Sequence, residues 1–376
     1  MKYNLSDICD YVRGKVDVAS LIYENYISTE NMISNKGGIT SASSLPSVAQ
    51  TQSFQVGDIL VSNIRPYFKK IWFAEFNGGC SNDVLVLRAK DGISKKFLYY
   101  VLTDDTFFNY SMLTSKGTKM PRGDKAAIMK YEVPGFTYKE QEKIAKILEA
   151  FDKKIQLNLN INDNLEQQAT VLVNRYLSVI TETVAFSEII DFVNGFAFQS
   201  RTYLPAGQYR IITIKNVQDG KIDSTGASCI DCLPQRMKTN CILQIGDVLL
   251  SLTGNVGRVG IVCENNLLLN QRVAKFVPHR KELLPFLYFI FRHPSIKTQM
   301  ESIAKGTAQL NLSPIETLNL SVPFEKTKAL ELSKVLSPIY QFIISNNQQN
   351  ILLSSLRDEL LPKLMSGEID ISDIKI

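Results

Sequence analysis

The phrase GDILVS at 57–62 returns as GDVLLS at 246–251, 189 positions later in a chain of 376 residues. It is one of several matched pairs that occur in the same order. LSDICDYVRG (5–14) matches FSEIIDFVNG (186–195), and YISTENM (26–32) matches IITIKNV (211–217). SNDVLVL (81–87) matches NQRVAKF (270–276), and FLYYV (97–101) matches FLYFI (286–290). SKGTKM (115–120) matches AKGTAQ (304–309), and Val133-Pro134 matches Val322-Pro323. The offset drifts only from 181 to 189, so the chain is a tandem duplication with small insertions. It must fold as two similar modules, each long enough to bury its own core.

Each module has a mixed pattern. Phe54, Val56, Ile59 and Val61 around Gly57-Asp58 predict strand–turn–strand. KKFLYYVLTDDTFFNYSML (95–113) and PFLYFIFRHPSIKTQMESIA (285–304) predict helices, with Gly117 and Gly306 as their C-caps. Behind each module comes a long helix. Steps of four and three carry Ile144, Leu148, Phe151, Ile155, Asn158, Asn162, Leu165, Ala169, Leu172 and Tyr176 along one seam. Shifted by 188, the same steps carry Leu332, Leu336, Ile339, Ile343, Asn346, Asn350, Leu353, Arg357, Leu360 and Leu364. Both seams hold two asparagines at their middle. A seam asparagine costs stability but fixes register, and an antiparallel pairing would set Asn158 against Asn350 and Asn162 against Asn346. The expected fold is α+β: two α/β modules, each followed by a long α-helix, with the helices packed as an antiparallel coiled coil of pseudo-two-fold symmetry. The expected boundaries are 1–135 and 186–323 for the modules, and 136–185 and 324–376 for the helices and tail.

Charge divides along the same lines. The modules carry net +3 and +4, and the two helical segments −1 each. Two basic modules joined by acidic connectors suit polyanion-facing domains. The longest apolar run, LLPFLYFIF at 283–291, is too short to cross a bilayer, and the acidic residues near the N-terminus break any leader pattern, so a cytoplasmic protein is expected. Cys229 and Cys232 have C-x-x-C spacing, yet no second pair and no nearby histidine accompanies them; buried or loop cysteines are expected, and no metal. Catalytic patterns are also missing. SPIY at 337–340 is the nearest approach to the (Asn/Asp)-Pro-Pro-(Tyr/Phe) loop of an adenine methyltransferase and lacks the second proline, GNVGRVG at 254–260 is not G-x-G-x-x-G, and no phosphate loop occurs. The only two histidines, His279 and His293, have no paired nucleophile. The residues point to a binding protein without a cofactor.

Two basic modules on an antiparallel helix pair share the two-fold symmetry of duplex DNA. Because the halves differ in sequence, the target would be asymmetric and bipartite, with an unread gap. Here the chain resembles the specificity subunit of type I restriction-modification enzymes over its whole length. The resemblance rests on the tail LRDELLPKLMSGEIDIS (356–372), on GDILVSNIRPYFKKIWFAEFNGGCSNDVLVL (57–87) and on KGTAQLNLSPIETLNLSVP (305–323). It implies two target-recognition domains, no chemistry in this chain, and helices that dock two methyltransferase subunits, which carry S-adenosylmethionine and support ATP-driven restriction subunits. The rival reading is a structural coiled-coil adaptor that binds protein, not DNA.

Candidate DNA-binding residues lie in loops beside the repeated phrases. Asn63 and Arg65 follow GDILVS; Asn255 and Arg258 follow GDVLLS. Beyond the module helices come Lys116, Thr118, Lys119 and Arg122 in one half, and Lys305, Thr307, Gln309 and Asn311 in the other. Arginine pairs with guanine and asparagine or glutamine with adenine in the major groove, while lysine neutralises phosphate. The Gly-Thr shared by the two halves alternatively serves only to end a helix. Residues that differ between halves are the better base readers. For partner docking, the candidates are Arg357, Leu361, Pro362, Leu364 and Met365. Pro362 is expected to kink the helix or start a new turn. The apolar residues here cannot all face one seam, and either dock a methyltransferase or pack on the first module.

Overall fold

The computed structural model describes residues 2–306 and 309–371 and divides into two compact units. The first comprises Met1–Lys153 with Ser354–Ile376, and the second Lys154–Leu353.

In the first unit, a four-stranded antiparallel sheet runs in the order Cys9–Tyr11, Val84–Ala89, Ile59–Ser62, Ile71–Phe73. The second unit repeats that path as Ile190–Asn194, Val273–Pro278, Val248–Ser251, Val259–Ile261, and adds Gly220–Lys221 as a parallel fifth strand. A smaller sheet accompanies each: four strands in the first unit and three in the second. The ends of each module are clasped together. Lys2–Asn4 pairs with Glu132–Pro134, and Thr183–Ala185 with Ser321–Pro323.

The repeated Gly-Asp phrase is a turn that enters the central strand. Gly57 and Gly246 take φ of +92° and +89°, a region that disfavours any side chain. The aspartate that follows closes the turn: Asp58 accepts from the Gln55 amide at 2.8 Å, and Asp247 from the Gln244 amide at 2.9 Å. Asp58 is 1% exposed and takes a bidentate grip from Arg88 at 2.7 and 2.8 Å, whereas Asp247 meets Lys275 at 3.2 Å. The phrase is repeated because the scaffold needs it.

The module helices correct one expectation. Residues 95–113 form two helices, Lys95–Thr103 and Asp105–Leu113, because the Asp104 carboxylate accepts from the Thr106 amide and caps a new start. The second module breaks likewise into Leu284–Arg292 and Pro294–Ile303, with His293 as the cap and Pro294 at the first helical position. Gly117 and Gly306 are therefore not C-caps. They lie beyond the ends of these helices, at φ of +91° and +129° in the following loops.

The long helices run Tyr138–Val179 and Lys326–Ser366, and no seam position named above is exposed. They are antiparallel in both units. In the second, Asn158 donates to Asn350 at 2.8 Å and to Gln349 at 2.7 Å, Asn346 donates to Asn162 at 2.8 Å, and Glu325 N–H reaches the Tyr176 hydroxyl at 3.1 Å. In the first, Arg357 meets Asp152 at 2.6 Å. The second helix continues through Pro362 without ending, and Gly367, at φ +74°, follows its last residue.

In each unit a carboxylate on the first long helix gathers a module side chain and an arginine. In the first unit Asp152 takes Arg357 and the Tyr100 hydroxyl, both at 2.6 Å. In the second, Glu166 takes Arg292 at 2.6 and 2.8 Å, and Arg292 also donates to the Tyr288 hydroxyl at 2.7 Å.

Leu361, Leu364 and Met365 are not free for a partner. They are 5%, 2% and 7% exposed in the first unit's core, with Ile144, Leu148 and the Lys95–Thr103 helix. Buried apolar area outweighs surface placement here, since each such side chain gains about 1.5–3 kcal/mol from leaving water. Arg357 is held by Asp152 and Asp358, so of this set only Pro362 stands exposed.

Candidate nucleic-acid interface

In each unit, the loop after the Gly-Asp strand and the loop after the second module helix are joined through their backbones. In the first unit, Arg65 N–H donates to Pro121 C=O at 2.8 Å and Gly123 N–H to Asn63 C=O at 3.1 Å. Lys116 and Arg122 exchange two backbone hydrogen bonds at 2.9 Å, which folds the second loop into a tight hairpin. Add 189 to each number and the second unit appears. Gly254 donates to Leu310 at 2.9 Å, Leu312 to Leu252 at 2.7 Å, and Lys305 and Asn311 exchange bonds at 2.9 and 2.8 Å. Ser62 and Ser251 support the same strand ends through hydroxyls that donate to Ile64 and Thr253 C=O. A capping side chain then starts the next short helix: Asp124 in one unit, Ser313 in the other. Backbone hydrogen bonds specify no side chain, so the ladder persists while the exposed positions diverge.

On this frame the candidates separate by exposure. Lys116, Thr118, Lys119 and Arg122 are exposed at the first hairpin, and Lys305, Gln309 and Asn311 at the second, with Asn255 exposed on the adjoining loop. Thr307 lies outside the described residues. Arg65 and Arg258 are half-buried, and Arg258 donates to Gln218 at 2.7 Å. Asn63 is buried at 8% exposure, with its backbone stitched to Asp83 and Gly123; it holds the loops together. Sequence reasoning put Asn63 beside Arg65 because both follow the strand. Strand alternation would place both on one face, since they are two residues apart; the chain leaves the extended path at Arg65, φ +49°, and of the two only Asn63 is buried.

Three of the exposed cations are paired with carboxylates but poorly shielded from solvent. Lys116 meets Asp124 at 2.6 Å, Arg122 meets Asp83 at 3.1 Å, and Lys305 pairs with Glu316. The Asp124 carboxylate is held below its ordinary range by Lys116 and then by the Ala127 and Ala126 amides. Such surface pairs contribute little and exchange readily for a phosphate partner. Among the described residues, no cluster of three His, Cys, Asp or Glu could hold a metal ion, and no helix is long and apolar enough to cross a membrane.

Two similar modules thus carry divergent polar loops on a common backbone frame. The profile of the type I restriction modification DNA specificity domain matches residues 1–167 and 180–354, and the chain belongs to that family. The specificity subunit of the type I restriction enzyme HindI from Haemophilus influenzae is 21% identical over 98% of this chain and 99% of its own length. That of MjaVIII from Methanocaldococcus jannaschii is 23% identical over 98% and 93%. The fold matches the crystal structure of a type I restriction-modification S subunit from M. genitalium, with a TM-score of 0.55 and 19% identity over 99% of this chain and 96% of the other. The chain is thus a sequence-specificity component of a type I restriction-modification system.

Proposed function

We propose that this chain reads an asymmetric bipartite duplex, one half-site with each unit's paired loops, and performs no chemistry itself. The observation that carries this is the hydrogen-bond ladder repeated at a constant offset of 189 while its exposed side chains differ. Arg122 stands where the second unit has Asn311, and Met120 where it has Gln309. A guanine-seeking group in one half against adenine-seeking groups in the other gives two different half-sites. Lys116 and Lys305, shared by both, suit phosphate contacts that set position. Thr118, Lys119, Arg65, Asn255 and Arg258 complete the two loop surfaces.

The helix pair is the docking surface for methyltransferase subunits, which bring S-adenosylmethionine and connect to the restriction subunits. Its apolar contacts are not the buried tail residues but the exposed Leu157, Ile161, Phe342 and Leu352, which no seam position covers. A cytoplasmic location fits this role.

Mapping methylated adenines in a host that carries the system would give the target. Arg122→Ala should then relax one half-site by a factor of roughly 5 to 150, and Asn311→Ala the other, since a base-edge contact contributes about 1–3 kcal/mol. Equal weakening on every duplex would show phosphate contacts only. Binding by the assembled complex without steep salt dependence would point to the adaptor instead.

A further inference from the structure

After the Gly-Asp strand, the first unit carries an element that the second lacks. Tyr67 and Phe68 stand 47% and 37% exposed, with ring centroids 4.7 Å apart. At the same offset the second unit has Val256, which is buried, and Gly257. Two adjacent aromatic rings held in water are unfavourable unless something covers them.

The loop is built to hold them rigidly. Arg65 and Lys69, on either side, both take left-handed backbone conformations at φ +49° and +50°. The neighbouring loop does the same at Asn35 and Lys36, φ +56° and +60°, and donates its two amides to Phe68 and Lys69 C=O at 2.8 and 2.9 Å. Lys36 and Lys69 then converge on Asp105 at 3.0 and 2.7 Å. Only one other non-glycine residue among those described, Asn266, has a positive φ. Four strained residues gathered at one exposed aromatic pair are the mark of a functional constraint, because each costs on the order of 1–3 kcal/mol.

Charge and position select the occupant. Arg65 and Lys69 flank the rings in the chain, Lys36 joins Lys69 on Asp105, and Lys70, which donates to Thr29 C=O and feels the Glu30 charge, sets its Nζ 5.8 Å from the Phe68 centroid. The Arg65 amide is the one that joins this loop to the reading hairpin at Pro121. An aromatic pair in a cationic rim, fixed to a DNA-reading loop, suits a nucleobase face with its phosphate alongside.

We infer that Tyr67 and Phe68 form a base-stacking wedge, confined to the first unit, that opens a base step at or beside that unit's half-site. The inference rests on the DNA-reading function proposed above. It makes the two half-sites mechanically different: the first is deformed, while the second is read without a wedge.

The test uses the full chain assembled with its methyltransferase subunits on the mapped target. 2-Aminopurine placed at successive positions of the first half-site should brighten on binding at one step, and at none in the second half-site. Tyr67→Ala with Phe68→Ala should abolish that signal and weaken binding roughly 5- to 150-fold, the range for loss of one stacked base. On a duplex already mismatched at the responsive step, the wild type should bind more tightly than on the intact one, and the double variant should gain less. Tyr67→Phe should keep the signal. A silent probe with normal binding by the double variant overturns the inference and leaves the reading function intact. Loss of methyltransferase assembly in the double variant would make the pair a protein contact, which also overturns it. A wild-type complex with no preferred duplex would bring down the reading function first, and the wedge with it.

Discussion

The two recognition units share a backbone hydrogen-bond ladder but differ in how they stiffen what hangs from it. In the first, the aspartate of the Gly-Asp turn is buried in a bidentate grip from Arg88; in the second, a single Lys275 contact does the work. The first presents its loop on arginine and lysine forced into left-handed conformations, while the second uses Gly254 and Gly257, at φ +77° and +76°, where that backbone is nearly free of strain. A duplicated frame can thus serve one reader that is rigid and strained and another that is relaxed. The largest break in the comparison should come at the carboxylates that tie modules to helices. Glu166→Ala removes the carboxylate that Arg292, 17% exposed at its side chain, grips with two hydrogen bonds. That should lower the stability of the second unit by about 3 kcal/mol. Asp152→Ala should cost the first unit less, about 2 kcal/mol, because Arg357 retains Asp358 at 2.8 Å. Hydrogen exchange resolved by unit would separate the two; equal losses would mean that the anchors are interchangeable.

Much of this plan is legible in the sequence because it rests on periodicity. The seam asparagines recur 188 residues apart since a polar layer fixes register in both helices, and the Gly-Asp phrase recurs since a left-handed turn needs its glycine. What stays hidden depends on contacts distant in sequence. Nothing local shows that Asn63 turns inward while Arg65 faces the hairpin, or that Leu361, Leu364 and Met365 are claimed by the first module's core. The helix breaks were written in the chain as Asp104-Asp105 and His293-Pro294, but a strong apolar period across each masks the cap. The offset of 189 shared by the two loops, at 63–65 and at 116–123, is the overlooked signal, since the strand Ile71–Phe73 between them matches Val259–Ile261 at 188. Two loops that keep the same spacing through a duplication, while the segments around them drift, are held against each other.

The Gly-Asp turns offer a smaller contrast. Asp58→Ala removes three hydrogen bonds, two of them charge-assisted, and leaves a buried turn open; a loss of about 2 kcal/mol is expected. Asp247→Ala removes the Gln244 cap and a partly buried lysine contact, and should cost about 1 kcal/mol. Denaturant midpoints at constant slope would measure both. If Asp247→Ala proved the more damaging, the bidentate arginine would not be what stiffens the first reader.

The smallest expected effect concerns pH and separates the units at their matched helix breaks. Asp104 caps the second module helix in the first unit, and His293 does so 189 positions later. Ser295 N–H and its hydroxyl meet His293 Nδ1 at 3.3 and 2.7 Å, and Nε2 lies 2.7 Å from Asn174 Oδ1. This network assigns the proton to Nε2 and leaves Nδ1 as acceptor. Burial lowers the pKa of His293 below its ordinary 6.5, because a charged ring would be poorly solvated there. The folded chain therefore holds fewer protons than the unfolded one between that depressed value and 6.5. Stability rises with pH across this window and is lost as pH falls through it. Protonation also removes the cap and sets a positive charge at a helix N-terminus, where the dipole opposes it. Acidification from pH 7.5 to 5.5 should accordingly weaken protection of residues 294–303 in hydrogen exchange, with no matching change at 105–113. His293→Asn, which restores an acceptor that does not titrate, should flatten the response at 294–303. A response at 294–303 that persisted in His293→Asn would place the titrating group elsewhere in the second unit.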